Sequence, residues 1–474
     1  MSFFYKAKNP QILASWLAVF LFAELFSWLA FNFTFLSLWF LLLVFALTIF
    51  LGFLKEEYLL FIPLAELFWG SLGHSFDYQG FGLRLFIFGA IILVFFFKNI
   101  LRIKKLRLFR DKGLLLIFSG ILFFLIASSL VAYFNGHLWQ NIFFDINAYL
   151  YIFYLPVWLE IYQPRYFSQV LEILKAASLV VAVKVLLVFH LFSQNYNSFD
   201  LNNLYKWIRD TRTGEITPFG NNFSRVFFQA HFYLLVAWFL LFFRQLKDFW
   251  NKQNFLILIF VSIALFISLS RSLWLGGGLA FLFLLVYIFL SNKKLLLSAL
   301  LLSIFLCLTS LLTIGVFFNL PKFNSLNIFQ QRSLDLGEPA LSSRQQLLGP
   351  LWQEIKQSPF LGHGFGKELT YQSSDPRIKN ENNPEGWYTS YAFEWGWLDI
   401  WLKGGLFFLL LFIVWLSLIF IRAYNSFKRA NFSALFLLPA VFSLIIVHFF
   451  SPYINHPLGL GLLIFSSIVF SVYE

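Results

Sequence analysis

Apolar stretches of about twenty residues recur along almost the whole chain, the length a helix needs to cross the hydrocarbon core of a bilayer. They lie near 11–31, 33–54, 57–74, 83–101, 113–134, 144–163, 168–192, 225–243, 254–270, 273–291, 295–318, 397–421, 432–450 and 457–472, about fourteen in all. The first two are almost without a connector, and the third carries Pro63 and Glu66. Of the 474 residues 59% are hydrophobic and 12% charged, where soluble domains run at about 45–50% and about 25%. An ordinary soluble enzyme, a disordered chain and a disulfide scaffold are thereby excluded. The expected fold is an all-α polytopic membrane protein. The first apolar run leads straight into a second, which does not read as a cleavable leader. The single Cys307 sits in an apolar run and reads as a small buried hydrophobe, with no disulfide or thiol-pair chemistry.

Lys and Arg in short loops orient such a chain. With a cytoplasmic N-terminus, the inner segments collect Lys6, Lys8 and Lys55 and the run from Lys98 to Lys112. They also collect Arg165, Arg244, Lys247, Lys252, Lys293, Lys294, Arg422, Lys428 and Arg429. The alternation holds at every turn and leaves both termini cytoplasmic. The net charge of +12 is then a topology signal beside anionic lipid, and no nucleic-acid partner is implied. All seven histidines fall at outer helix ends or in outer loops. Intramembrane polar groups tend to mark a site, although histidine also tolerates interfaces.

Four segments follow: N-terminal spans over 1–192, core spans over 193–318, a large outer loop over 319–396 and C-terminal spans over 397–474. The loop is far longer than a connector needs. It predicts an amphipathic helix at 343–357, capped by Ser342 or Ser343 and ended by Pro359 and the Gly362, Gly364, Gly366 cluster.

Phosphate-loop, HExxH, CxxC and GxSxG motifs are absent. What stands out are outer-face arginines. Arg225 opens the predicted helix of RVFFQAHFY, Arg271 lies in the tight turn SLSRSLWLGGG, and Arg344 lies in SSRQQLLGPLW. A guanidinium fork suits bidentate phosphate binding, and at a membrane surface that phosphate is a lipid diphosphate. For Arg225 taken alone, snorkelling to headgroups is the better account. Arg271, wedged between Ser270 and Ser272, has no loop to escape into. In FEWGWLDIWLKGGLFF, Asp399 and Lys403 are spaced to pair on one helix face. Glu394 has no such local partner. It is either a solvated loop acid or, if desolvated between aromatic neighbours, a general base of raised pKa.

These segments together resemble the O-antigen ligase and O-antigen polymerase superfamily of bacterial envelope glycosyltransferases. SLSRSLWLGGG is similar to the family's arginine signature at a tight periplasmic turn, RVFFQAHFY to its arginine-led core segment, and Arg344 through SPFLGHGFG to its large-loop pattern. The resemblance covers roughly 215–474. It implies a glycosyltransferase-C-like fold in the bacterial inner membrane with an extracytoplasmic site. The family's ligases carry a His-Asn pair four residues before a Leu and eleven before a Gly. Leu398 and Gly405 are that Leu and Gly here, so Glu394 and Trp395 stand at the pair. The missing histidine favours a polymerase over a ligase.

The resemblance implies a polyprenyl-diphosphate-linked glycan as donor, held by Arg225, Arg271 and Arg344. Glu394 is the implied catalytic base, with His363 as second choice, and His231, Tyr391 and Trp395 are expected to touch the acceptor or another part of the substrate. Membrane lipid and a chain-length regulator are the other expected partners. No cofactor is expected and no metal, since a diphosphate already leaves well and the sequence offers no compact Asp/Glu/His cluster. The rival from another class is a flippase for the same lipid-linked glycans, for which Lys184 is the clear midplane basic residue.

Overall fold

A bilayer core offers no water to backbone N–H and C=O groups, so a spanning segment bonds them within itself as a helix. The computed structural model of the protein describes residues 10–70, 73–194, 200–218, 223–291, 293–317, 339–428 and 436–472. Helix dominates, and the strands among these residues form three two-stranded antiparallel hairpins. Eight helices among the described residues are long and apolar enough to cross a membrane: Gln11–Asn32, Phe35–Leu54, Lys112–Phe134, Trp139–Ile161, Tyr166–Gln194, Arg271–Leu290, Lys293–Val316 and Gly396–Ser426. The chain is a multi-pass membrane protein.

The other expected spans are shorter helices: Tyr58–Trp69, Leu83–Asn99, His231–Lys247, Lys252–Ile267, Leu437–Val447 and Pro457–Val472. Two causes are visible. Pro63 lies inside the first and Glu66 binds Arg84, which is polar chemistry and not lipid contact. In the stretch 225–243 the opening residues leave the helix for a hairpin. The first part of 432–450 lies outside the described residues.

Contacts divide the chain into two units, residues 1–103 with 160–329, and residues 104–159 with 330–474. In the first unit Tyr166–Gln194 is the central helix, packed by Pro10–Asn32, Lys252–Ile267 and Tyr58–Trp69. Charges inside such a bundle persist only when paired. Accordingly Arg84 grips Glu66 through two bonds of 2.9 Å, and Lys175 binds Glu172 at 2.6 Å. Lys184 binds Glu24 at 2.7 Å and stands 4.1 Å from the Trp207 ring. The lysine on which a flippase reading leans is therefore already neutralised.

In the second unit the long helix Gly396–Lys428 packs on Lys112–Phe134, Pro457–Val472 and Pro339–Gln357. It is broken at Gly405, whose φ of 76° and ψ of 178° no helical residue adopts. The backbone groups freed by the break are taken up by the glycine turn after Gln357. His363 N–H donates to Leu402 O (2.8 Å), Gly364 N–H to Lys403 O (3.0 Å), and Leu406 N–H to Pro359 O (2.9 Å). The fit leaves no room for a side chain, since a Cβ on Gly405 would run into the Phe360 carbonyl. The other end of Gly396–Lys428 is tied by Arg422, which donates to Asp111 at 2.7 Å. Burial alone would raise the Asp111 carboxyl, but the bonds from Arg422, Leu114 N–H and Ser471 hold it below its ordinary value.

The expected pair Asp399–Lys403 is present at 2.9 Å, and it belongs to a larger cluster. Lys403 Nζ also binds Asp145 at 2.8 Å, Asn455 donates to Asp399 at 2.5 Å, and Gly366 N–H donates to Asp145 at 2.7 Å. Replacing Lys403 with Met leaves two buried carboxylates without their cation. A cost of about 3–5 kcal/mol is expected, read as a large drop in the thermal midpoint of the purified protein in detergent. An unchanged midpoint would show that the cluster is solvated.

Candidate functional site

In the first unit, Arg225 lies on the strand Ser224–Phe228, paired with Gly214–Pro218. The expectation that Arg225 opens a helix is corrected. Val226, Phe227 and Phe228 are good strand formers, the partner strand satisfies their backbone, and the helix starts only at His231. Strand alternation buries Ser224, Val226 and Phe228 and turns Arg225 and Phe227 outward. Arg225 Nε donates to the Ser268 carbonyl at 2.8 Å. Ser268 begins the turn that leads into Arg271, the first residue of the helix Arg271–Ser291. Two arginines far apart in sequence thus meet one turn. That turn is strained: Leu269, fully buried, has φ +43°, uncommon for any residue but glycine, and such strain concentrates at functional sites.

His231 is completely buried. Its Nδ1 accepts Phe228 N–H at 2.8 Å and its Nε2 is 3.2 Å from Ala264 O. Both ring nitrogens are engaged in holding the hairpin to the helices, which leaves no exposed atom for the expected substrate contact.

In the second unit the outer-loop helix is Pro339–Gln357, so Ser342 and Ser343 lie inside it and do not cap it. Instead Ser343 and Ser373 bond each other at 2.7 Å, Ser373 Oγ donating, which fastens the helix to the loop. Leu347, Leu351 and Ile355, on one helix face, pack with Leu369 and Tyr371 of the hairpin Leu369–Gln372/Trp387–Ser390 and with Phe393 and Leu402. This small core fixes the approach to the Gly396 helix. Arg344 thereby meets Glu394 as an ion pair, and Trp395 Nε1 donates to the Arg344 carbonyl at 2.9 Å. The expectation that Glu394 lacks a partner is corrected, and so is its desolvation. Its side chain is 50% exposed and that of Arg344 33%. Tyr391 is half-buried in the segment between the hairpin and Glu394.

His363 lies in the turn that follows the same helix. Its Nε2 contacts the Glu354 carbonyl at 2.8 Å, and its backbone belongs to the turn that fills the Gly405 break. Arg344, which pairs with Glu394, and Glu354, which His363 contacts, are ten residues apart, about 15 Å along the helix.

Sequence reasoning missed the residues behind this turn. Asn135 donates to His363 O at 3.0 Å, His137 Nδ1 to Phe365 O at 2.8 Å, and Asn141 to Glu368 at 2.7 Å. Asn135, His137 and Asn141 are clustered between the apolar runs 113–134 and 144–163, the signal that would have found them, and Asp145 lies just inside the second run. Beside them an apolar cavity of about 730 Å³ is lined by Leu122, Leu125, Ile126, Tyr133, Trp139 and Ile146, among others. Among the described residues no group of three or more His, Cys, Asp or Glu is placed to hold a metal ion.

Residues 256–413 match the family model described as O-antigen ligase. That stretch includes Arg271, Arg344, His363, Tyr391, Glu394 and Trp395 and leaves out Arg225 and His231. No curated protein and no solved structure matches the chain.

Proposed function

We propose, from the match of residues 256–413 to the O-antigen ligase model and the resemblance of the motifs around it, that the chain polymerises glycan repeat units carried on a polyprenyl diphosphate. The reaction takes place at the extracytoplasmic face of the bacterial inner membrane, about fourteen apolar segments being threaded through it. The observation that carries this reading is the ion pair between Arg344 and Glu394, two residues proposed for opposite halves of one transfer. A hydroxyl oxygen of the acceptor sugar attacks the anomeric carbon of the donor. The new glycosidic bond forms, the anomeric carbon–oxygen bond to phosphorus breaks, and the polyprenyl diphosphate leaves with the electron pair. Glu394 takes the hydroxyl proton.

In the resting pair Arg344 occupies that carboxylate. A diphosphate competes for the guanidinium, because a fork binds phosphate as well as it binds carboxylate, and its arrival releases Glu394 for the acceptor. Arg225 and Arg271 are each given the role of phosphate contact on the same chemistry, which also offsets the charge that develops on the leaving group. The apolar cavity lined by Leu122 and Leu125 suits an isoprenoid tail. A glutamate where the family's ligases carry histidine favours polymerase over ligase.

The test is stoichiometry in proteoliposomes given lipid-linked oligosaccharide from the source cells. One polyprenyl diphosphate released for each glycosidic bond formed supports the proposal. Movement of the lipid between leaflets without any release would identify a flippase and overturn it.

A further inference from the structure

The hairpin Leu369–Gln372/Trp387–Ser390 has two faces of opposite character. Leu369 and Tyr371 point into the loop's core. The cross-strand pairs Thr370–Thr389 and Gln372–Trp387 make up the other face, and all four residues are exposed. Trp387 is the anomaly, a large ring left 50% exposed. One bond nevertheless holds the ring and two hold its backbone. The indole Nε1 donates to Glu385 Oε2 at 2.6 Å, the backbone N–H donates to Asn383 Oδ1 at 3.2 Å, and Asn383 Nδ2 donates to Trp387 O at 2.8 Å. Beside it the Thr370 and Thr389 hydroxyls bond each other at 2.8 Å.

Holding a half-exposed indole by a hydrogen bond costs side-chain entropy and leaves half of the ring in water, unless a ligand later covers it. The surroundings specify that ligand. A sugar ring is apolar on the face formed by its C–H groups and hydroxylated at its edge. A flat indole meets the first, and two threonine hydroxyls, a glutamine amide and a carboxylate meet the second. The four outward residues include no cation, and the charge bonded to the ring is the anionic Glu385, which an anionic lipid surface would repel.

We infer that this face is a carbohydrate platform on which uncharged sugar residues of the acceptor glycan stack against Trp387. The inference rests on the polymerase reading for the identity of the glycan. It assigns the hairpin the task of holding the chain being extended, apart from the residues that act on the bond.

The experiment uses the full-length protein in nanodiscs, the lipid-linked oligosaccharide of the source cells, and the same saccharide freed of lipid by mild acid. Trp387→Ala is expected to raise the acceptor KM and the Kd for the free saccharide by about tenfold, as for loss of one aromatic anchor, with the donor KM unmoved. Trp387→Phe, which retains a flat ring, recovers most of the loss. Wild-type transfer with unchanged acceptor KM in Trp387→Ala would overturn the platform and leave the polymerase standing. Saccharide binding that depends on Trp387, without transfer, would support the platform and remove the polymerase. A fluorophore at Gln372→Cys, in a Cys307→Ser background, that is quenched by doxyl-labelled lipid would place the face on the bilayer and overturn the inference.

Discussion

Glu394→Gln is expected to lower transfer by about 10²–10⁴-fold, the usual contribution of a positioned base, and to leave the fold intact. Both halves follow from where the residue sits. Glutamine has the same shape and still offers an oxygen to Arg344, but it cannot accept the acceptor's proton at neutral pH. The side chain is half exposed, and exposed ion pairs contribute about 0–1 kcal/mol to stability, so the thermal midpoint should barely move. Steady-state kinetics on the purified variant, with a melting curve on the same sample, separate the two. Activity within a few-fold of wild type would remove Glu394 from the chemistry. His363→Gln supplies the contrast. Because His363 contacts the Glu354 carbonyl and its backbone lies in the turn at the Gly405 break, its replacement should lower stability and activity together.

Arg271→Ala is the second large effect, an expected loss of about 10²–10³-fold in kcat, as for removal of one group that stabilises leaving-group charge. Arg271→Lys should recover only part of it, since a lysine offers a point charge in place of a planar fork. The local physics makes this variant informative. Arg271 is the first residue of its helix, where a cation opposes the helix macrodipole. A bound phosphate, by contrast, is favoured at a helix N-terminus. Loss of transfer in a variant that still folds is the predicted combination. Full activity in Arg271→Ala would rule out the phosphate contact.

How far the sequence could be read depended on the range of each interaction. The apolar runs were legible because lipid imposes one solution on any segment of that length, and the pair Asp399–Lys403 because its partners are one helical turn apart. Arg225 was misread because Val226, Phe227 and Phe228 suit a spanning helix as well as a strand. The deciding partner, Gly214–Pro218, lies across residues that read as loop. Arg344 and Glu394 were each singled out, but fifty residues separate them, and only the packing of Leu347, Leu351 and Phe393 brings them together. Gly405 was legible as a landmark of the resemblance. Its work in breaking the helix for the 359–364 turn was not, since the pair Gly404–Gly405 in an apolar run gives no sign of which glycine leaves helical φ. Asp145 escaped notice for the same reason as Glu394's partner did: Lys403 is 258 residues away.

The most direct test of the account is the mass ladder formed by purified protein from lipid-linked oligosaccharide in EDTA. The account predicts products rising by whole repeat units in the wild type and their loss in Glu394→Gln. A single transfer to an added lipid or protein acceptor, with no ladder, would contradict the polymerase, and a ladder undiminished in Glu394→Gln would contradict the assigned base.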